Sequence, residues 1–208
     1  MIDPRALRRW LLYAVAIVSV LGLAIELAHA QSTAAWIDAL LPKLSLSYEA
    51  NVPTWFSSSL LFACALAAGD IVRKTTEHRA HWIGITVMLA WMSLDEAAEL
   101  HEQLGGQIAT SGVLYFDWVI PAAAVVVLIA VLYLPFVRRL AAPTRNRLIV
   151  AAAIYIAGAL LMELPLGWWT EHHGNEGIGY ALIDWVEETL EMLGASLALV
   201  AFVRHRQN

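Results

Sequence analysis

Acidic side chains recur inside stretches of this sequence that are otherwise apolar enough to cross a membrane. A charge near the centre of a membrane-spanning helix costs about 2.5 to 3.5 kcal/mol on insertion scales, so such acids are expected to face other helices and to have partners. Almost no lysine or arginine is available near them, which leaves metal ions, protons or a cationic substrate. The ten carboxylates are Glu26, Asp95, Glu96, Glu99, Glu102, Glu163, Asp184, Glu187, Glu188 and Glu191.

An internal repeat gives these acids their most specific pattern. The motif Asp-x-x-x-Glu-x-x-Glu-x-Leu-Gly begins at Asp95 and recurs at Asp184. Because successive residues of a helix are about 100° apart, the three acids of each copy fall within an arc of about 60°. Each copy therefore predicts one acidic stripe, and we expect the two stripes to face each other across a helical bundle.

Two further glutamates are predicted to lie at nearly the same depth as the stripes. A rise of 1.5 Å per residue puts Glu99 and Glu188 about 6 to 9 Å outward from the midplane, and Glu26 and Glu163 about 9 to 10 Å. Carboxylates favour hard or borderline ions, so we expect one or two divalent metal ions, with iron, manganese or zinc preferred. The predicted ligands are Glu26, His29, Asp95, Glu99, Glu102, Glu163, Asp184, Glu188 and Glu191.

The arrangement of these acids resembles that of the di-metal carboxylate helix bundles. In that family two helices each give one Glu and two others each give Glu-x-x-His, all directed inward. Both pairs of this chain carry Glu where the family has His, so the resemblance implies a histidine from elsewhere, for which His29 is best placed. The positions that carry the resemblance are Glu26, Glu163, Glu99-x-x-Glu102 and Glu188-x-x-Glu191.

A polar loop is predicted after the fifth apolar stretch, over residues 167–179. Imidazole with carboxylate suits zinc, iron, manganese or copper, so the loop is a candidate gate or source of further ligands. A flexible turn anchored by its two tryptophans explains the same composition. The additional candidates are His101, Glu171, His172, His173 and Glu187, with His101 favoured as a hydrogen-bond partner over a ligand.

The elements that must position these residues are membrane-spanning helices. Of the 208 residues 60% are apolar and nine are tryptophan, and the mean hydropathy is +0.63. We predict an all-α, polytopic membrane protein with a single domain over residues 1–208 and a core bundle of spans 1, 3, 5 and 6. Each span can cross a hydrocarbon core of about 30 Å. The spans are 11–28, 55–71, 82–104, 118–137, 148–166 and 178–203, and residues 34–46 are expected to lie along the outer surface.

Basic residues fall almost entirely on one side of the predicted topology. Of the 13 lysines and arginines only Lys43 lies on the other side. By the positive-inside rule both termini are cytoplasmic, so the chain is a multi-pass protein of the inner membrane with its acids toward the periplasmic or extracellular side. The start also fits a secretory signal peptide, and cleavage within residues 1–30 is left open.

Three classes of function fit this pattern. A metal site open to the outer side could serve an oxidoreductase or hydrolase acting on a small or lipid substrate. Acids inside a membrane also mark pathways of divalent cations or protons, but the apolar inner half favours a closed pocket. An accessory subunit, or acids that are simply solvated or protonated, is the third reading. Membrane lipid, a metal ion and a homo-oligomer or membrane complex are the expected partners, and topology explains the arginines without nucleic acid.

Overall fold

The computed structural model describes residues 3–32, 34–100 and 108–207, which are helical and contain no β-strand. This confirms the predicted all-α class. A 3-10 turn at Gly112–Leu114 precedes α5, and a π-helical segment at Ala157–Met162 joins α6 to α7 in one continuous rod. The helices are α1 (Pro4–His29), α2 (Ala35–Leu44), α3 (Val52–Lys74), α4 (Arg79–Ala98), α5 (Val119–Arg139), α6 (Ala142–Ile156), α7 (Glu163–His173) and α8 (Ile178–Gln207).

Four helices are long and apolar enough to cross a membrane. They are α1, α3, α5 and the continuous rod Ala142–His173. The length and composition of these helices therefore indicate a membrane protein. The two other predicted spans correspond to α4 and α8, which have 20 and 30 residues and carry most of the acids. Their crossing of the membrane, and with it the count of six spans, stays a prediction.

Two predicted boundaries differ from the structure. Helix α4 ends at Ala98, where the third span was expected to continue to residue 104, because Glu99 adopts a left-handed conformation with φ of 52°. Residues 101–104 of that expected span lie outside the described residues. Residues 167–173, predicted as part of a loop, instead belong to helix α7, which continues to His173. Tryptophan and histidine are compatible with a helix at the membrane surface, so the composition of these residues did not show that the helix continues past residue 166.

Helix α8 is the central helix of the bundle. It packs extensively against α1, α3, α6 and the π-helical segment, whereas α4 packs mainly against α3. The core was predicted to contain spans 1, 3, 5 and 6. The structure places the second span, α3, beside α8 where the third span was expected.

Glycines allow α8 to approach its neighbours closely. A Cβ atom at Gly158 would lie 2.7 Å from the carbonyl oxygen of Glu187, and one at Gly194 would lie 2.6 Å from the backbone nitrogen of Tyr155. Real Cβ atoms do not come so near to a backbone atom, so only glycine fits at these two positions. Small residues at helix contacts are the usual way in which membrane helices pack.

Serine side chains join helix pairs by hydrogen bonds. Between α3 and α4, Ser58 Oγ donates to the carbonyl of Ser93 at 2.7 Å, and Ser93 Oγ donates to the carbonyl of Ser58 at 2.8 Å. Between α1 and α8, the indole of Trp185 donates to the Ser19 carbonyl at 2.7 Å, and the Thr189 and Ser19 hydroxyls are 2.9 Å apart. These polar groups therefore bond within the protein and hold helices together.

The short helix α2 lies against the end of α1. Its Ile37 and Leu41 are buried with Ile25 of α1, while Trp36 stays exposed. A ten-residue helix is too short to cross a membrane, and apolar residues on both of its faces suit a surface position. The placement of residues 34–46 along the outer membrane surface stays a prediction.

Aromatic side chains close the arginine-bearing end of the bundle. Trp82 and Phe136 are 2% exposed, and their rings meet edge to face with centroids 5.3 Å apart. Phe202 of α8 packs on the other side of Trp82 at 6.2 Å, and His205 stacks on the same indole at 5.0 Å. No acid belongs to this cluster.

Candidate functional site

Helix α8 contributes four acids to the end of the bundle away from the aromatic cluster. Asp184, Glu187 and Glu191 are buried, with 9%, 7% and 8% of their surface exposed, and Glu188 is half-buried. At about 100° per residue these four positions share an arc of about 100°. The predicted stripe on α8 is thus present, and Glu187, predicted only as an additional ligand, lies on its buried side.

Helix α1 meets this stripe through Glu26. The Ser45 hydroxyl, which is fully buried, donates a hydrogen bond to Glu26 Oε1. Glu26 also lies within electrostatic range of Asp184. The segment 45–51, which connects α2 to α3, therefore anchors one edge of the acid group.

The same segment brings in Glu49. Asn51 holds the segment in place, since its side-chain amide donates to the Ser45 carbonyl at 2.8 Å and its Oδ1 accepts from the Thr54 amide at 3.0 Å. Glu49 accepts a bond from the Thr54 hydroxyl at 3.3 Å and interacts electrostatically with the α8 acids. Glu49 is not among the residues predicted from the sequence, because it lies between the surface segment 34–46 and the span that begins at residue 55.

Helix α4 reaches the α8 acids through Glu96. Glu96 is next to Ser57 of α3 and within electrostatic range of Glu188 and Glu191. Asp95 and Glu99 were the predicted ligands on this helix. Glu99 is the left-handed residue that ends helix α4, so it no longer continues the helical spacing from Asp95, and the role of both residues as ligands stays a prediction.

The rod Ala142–His173 supplies Glu163, directly after the π-helical segment. Glu163 is 9% exposed and interacts electrostatically with Glu187 and Glu191. The hydroxyl of Tyr155, two residues before the π segment, is a hydrogen-bond partner of Glu191. Pro165 has no N–H to bond the Leu161 carbonyl, which is a local reason for irregular geometry here. Single π-helical turns occur frequently at functional sites.

We call the acids that these electrostatic interactions connect the acidic layer. Two buried oxygens in it, Asp184 Oδ2 and Glu187 Oε2, have no hydrogen-bond partner among the residues that the structure describes. In that same part of the chain no three His, Cys, Asp or Glu side chains stand close enough to hold one metal ion. The members of the acidic layer are Glu26, Glu49, Glu96, Glu163, Asp184, Glu187, Glu188 and Glu191.

Some of the other predicted residues have different surroundings. His29 Nδ1 lies 3.2 Å from Asp38 of α2, and both side chains are about half exposed. Glu171 Oε2 accepts a bond from the Gly112 amide at 2.6 Å. His172 and His173 stack on Trp168 and Trp169 with ring centroids 4.6 and 4.3 Å apart, respectively. His101 and Glu102 lie outside the described residues.

Comparison with known proteins identifies a family for this chain but no curated or structural relative. A comparison with curated proteins and a comparison with solved structures each find no match. A family model described as a domain of unknown function, DUF8692, matches residues 5–205, which is nearly the whole chain. The chain therefore belongs to the DUF8692 family.

Proposed function

We propose that this protein is a multi-pass membrane protein that binds divalent metal ions in its acidic layer. Iron, manganese and zinc are the candidate ions, because carboxylate oxygens with little nitrogen or sulfur favour hard or borderline metals. In this proposal α4 and α8 also cross the membrane, both termini are cytoplasmic, and the acidic layer opens toward the outer side of an inner membrane.

The observation that carries the proposal is the pair of orphaned oxygens on α8. Asp184 Oδ2 and Glu187 Oε2 have no hydrogen-bond partner within the described residues, and the two side chains are more than nine-tenths buried. A buried polar atom without a partner costs about 1 to 3 kcal/mol, and more if it is charged. A cation bound between the two side chains would remove that cost.

The side chains around these oxygens are a second reason to expect a bound cation. Around Glu187 the interacting side chains are the carboxylates of Glu163, Asp184, Glu191 and Glu49, and no lysine or arginine of the described chain is among them. Ionised carboxylates that interact in a buried region repel one another, so a positive species between them, or protonation, would stabilise the folded state. Metal ions and protons are the two candidates of suitable size.

Side-chain movement alone could bring the ligands together. Glu187 stands between Glu163 of the rod and Asp184 and Glu191 of its own helix, so it is the natural centre of a site. Glutamate has three side-chain torsions, whereas the backbone here is fixed by the close contact of Gly158 with α8. Binding is therefore proposed to draw flexible carboxylates onto a rigid frame, with Asp184, Glu187, Glu191 and Glu163 as ligands.

A binding or catalytic role is favoured over transport. Passage of an ion would need polar groups through the inner half of the bundle. There the side chains of Trp82, Phe136 and Phe202 pack together, and the Cys64 thiol donates to the Ala195 carbonyl at 3.3 Å. A metal ion in such a closed site would activate water or oxygen for an oxidoreductase or hydrolase, with its substrate still to be identified.

Metal analysis of the purified full-length protein tests the proposal. We expect about one metal ion or more per chain by elemental mass spectrometry after addition of iron, manganese or zinc. At a free metal concentration 100 times Kd, the wild type should gain about 2.7 kcal/mol in unfolding free energy. The D184N/E187Q variant should bind the metal at least about tenfold more weakly, since ligand environments set affinity on that scale.

Two controls separate metal from protons. Glu77→Gln removes an exposed acid at the opposite end of the bundle and should leave the metal response unchanged. If the acids are instead held neutral by protons, D184N/E187Q mimics that state and will fold with unchanged stability and no metal response in either protein. That outcome would contradict metal binding, as would an equal loss of metal in both variants.

A further inference from the structure

An open cavity lies at the other end of the bundle, where α1 and α6 begin and α8 ends. Its volume is about 220 Å³, and its lining carries three guanidinium groups. Arg147 and Arg204 are half-buried, whereas Arg5 is exposed. The lining residues are Asp3, Pro4, Arg5, Arg147, Arg204 and Gln207.

Like charges are concentrated around Arg204. Burial and the neighbouring guanidiniums of Arg147, Arg8 and Arg5 lower the pKa of Arg204, and Asp3 acts in the opposite direction. The Asp3 carboxylate already accepts a bond from the backbone N–H of Arg5 at 2.9 Å, where it caps α1. One partly engaged carboxylate therefore faces four arginines.

The Nε atom of Arg204 also has no hydrogen-bond partner among the described residues, although it is buried. Arg206, two residues further on, differs in this respect because it forms an ion pair with Asp70. The positive-inside rule accounts for arginines at this end of the spans, but it does not account for their meeting around one cavity, since like charges repel. An anion from outside the chain would offset that repulsion.

The position of the cavity indicates the kind of anion. Both α1 and the rod Ala142–His173 are long and apolar enough to span a membrane, and the cavity lies at the first residues of both. This is the level at which lipid headgroups are found. Guanidinium forks match the oxygens of a phosphate in paired hydrogen bonds, and basic pockets between membrane helices bind anionic headgroups.

We propose that this cavity binds the phosphate group of an anionic phospholipid, held by Arg147 and Arg204, with Arg5 and Arg8 adding attraction. The proposal depends on the membrane placement of α1 and the rod, and it is independent of metal in the acidic layer. A lipid held here would tie the ends of α1, α6 and α8 together at the membrane surface.

Lipid titration of the full chain in detergent tests this site. Native mass spectrometry would compare phosphatidylglycerol, phosphatidylcholine and inorganic phosphate at equal concentrations. We expect phosphatidylglycerol to bind most tightly, and the R147Q/R204Q variant to bind it about 100-fold more weakly, at about tenfold for each charged hydrogen-bonding group removed. The matched variant R138Q/R139Q removes the same charge from the exposed end of α5 and should stay within about twofold of wild type.

Several results would overturn the proposal. These are equal binding of phosphatidylcholine and phosphatidylglycerol, equal losses in the two double variants, and binding of inorganic phosphate as tight as that of phosphatidylglycerol. The last result would identify a site for a free anion instead of a lipid. Circular dichroism and thermal unfolding of each variant check that the fold is kept, and the single variant Arg147→Gln, with about a tenfold loss, replaces the double variant if that one fails to fold.

Discussion

Polar groups occupy the interior of this bundle in two different ways. The serines at helix contacts are paired: Ser58 and Ser93 bond each other's carbonyls, and Ser19 bonds residues of α8. In the acidic layer carboxylates from four helices face one another, and two buried oxygens lack partners within the described chain. The hydroxyls of these three serines are thus satisfied by the protein itself. In the acidic layer, a bound cation would lower the free energy of the folded state.

The largest effect is expected from separating the helices that frame the acidic layer. Gly194→Ala would put a Cβ 2.6 Å from the Tyr155 nitrogen, so backbone must shift, and we expect a loss of about 2 to 3 kcal/mol in unfolding free energy. Gly69→Ala is the matched control, because its Cβ would meet Thr86 at an ordinary 3.5 Å. Chemical or thermal unfolding in detergent measures both, and equal losses would show that the close approach of α8 is unimportant.

A smaller effect of opposite sign is expected within the acidic layer. In metal-free buffer, Glu187→Gln should raise the unfolding free energy by about 1 kcal/mol, because it removes one of several like charges from a buried position. Thermal unfolding before and after addition of the candidate metals measures this, and the gain should disappear once the metal stabilises the wild type. Destabilisation without metal would mean that Glu187 is already paired, and the contrast with the serines would fail.

Removing a paired serine should lower the unfolding free energy, in contrast to the change at Glu187. Ser58→Ala breaks the bond to the Ser93 carbonyl and should cost about 1 kcal/mol, independent of added metal. The S58A/S93A variant should cost less than the sum of the single changes, because each hydroxyl supports the other helix. A double-mutant cycle by equilibrium unfolding tests this, and strict additivity would show that the two bonds are independent.

The smallest effect is expected at the exposed pair between α1 and α2. His29 and Asp38 are about half exposed, so His29→Ala should cost about 0.3 kcal/mol or less and should leave metal binding unchanged. Unfolding at low and high salt, with metal analysis alongside, measures both quantities. Loss of metal from this variant would restore His29 as a ligand, as its spacing from Glu26 predicts.

The sequence predicted the class of the fold well and the neighbours of α8 less well. Hydropathy over long stretches identifies helices reliably, because the cost of burying charge in lipid is large. It carries no information on which helix lies beside which, and so α3 was not expected next to α8. For the contact between the rod and α8, small residues are the local cause, since Gly158 and Gly194 allow the close approach.

The acidic face of α8 was predictable because four acids recur at helical spacing. The rotation of the helix about its axis was not predictable. Glu187 and Glu188 are about 100° apart on the helix, and the packing of neighbouring helices determines which of them is more buried. The face that α4 presents to its neighbours was also not predictable from the sequence. The repeat favours Asp95 and Glu99, but Glu99 ends the helix in a left-handed turn that no glycine indicates, and the α4 acid found to interact with Glu188 and Glu191 is Glu96.

The π-helical segment Ala157–Met162 has one more consequence for the design of variants. A π turn holds one residue more than an α turn, so the two halves of the rod are out of phase with an unbroken α-helix by about 100°. Deleting Ala159 would restore ordinary α geometry and keep Glu163 facing Glu187, whereas a regular α-helix through all six residues would rotate Glu163 away by about 100°. The one extra residue of the π turn therefore determines which side chains of the outer half of this rod face α8.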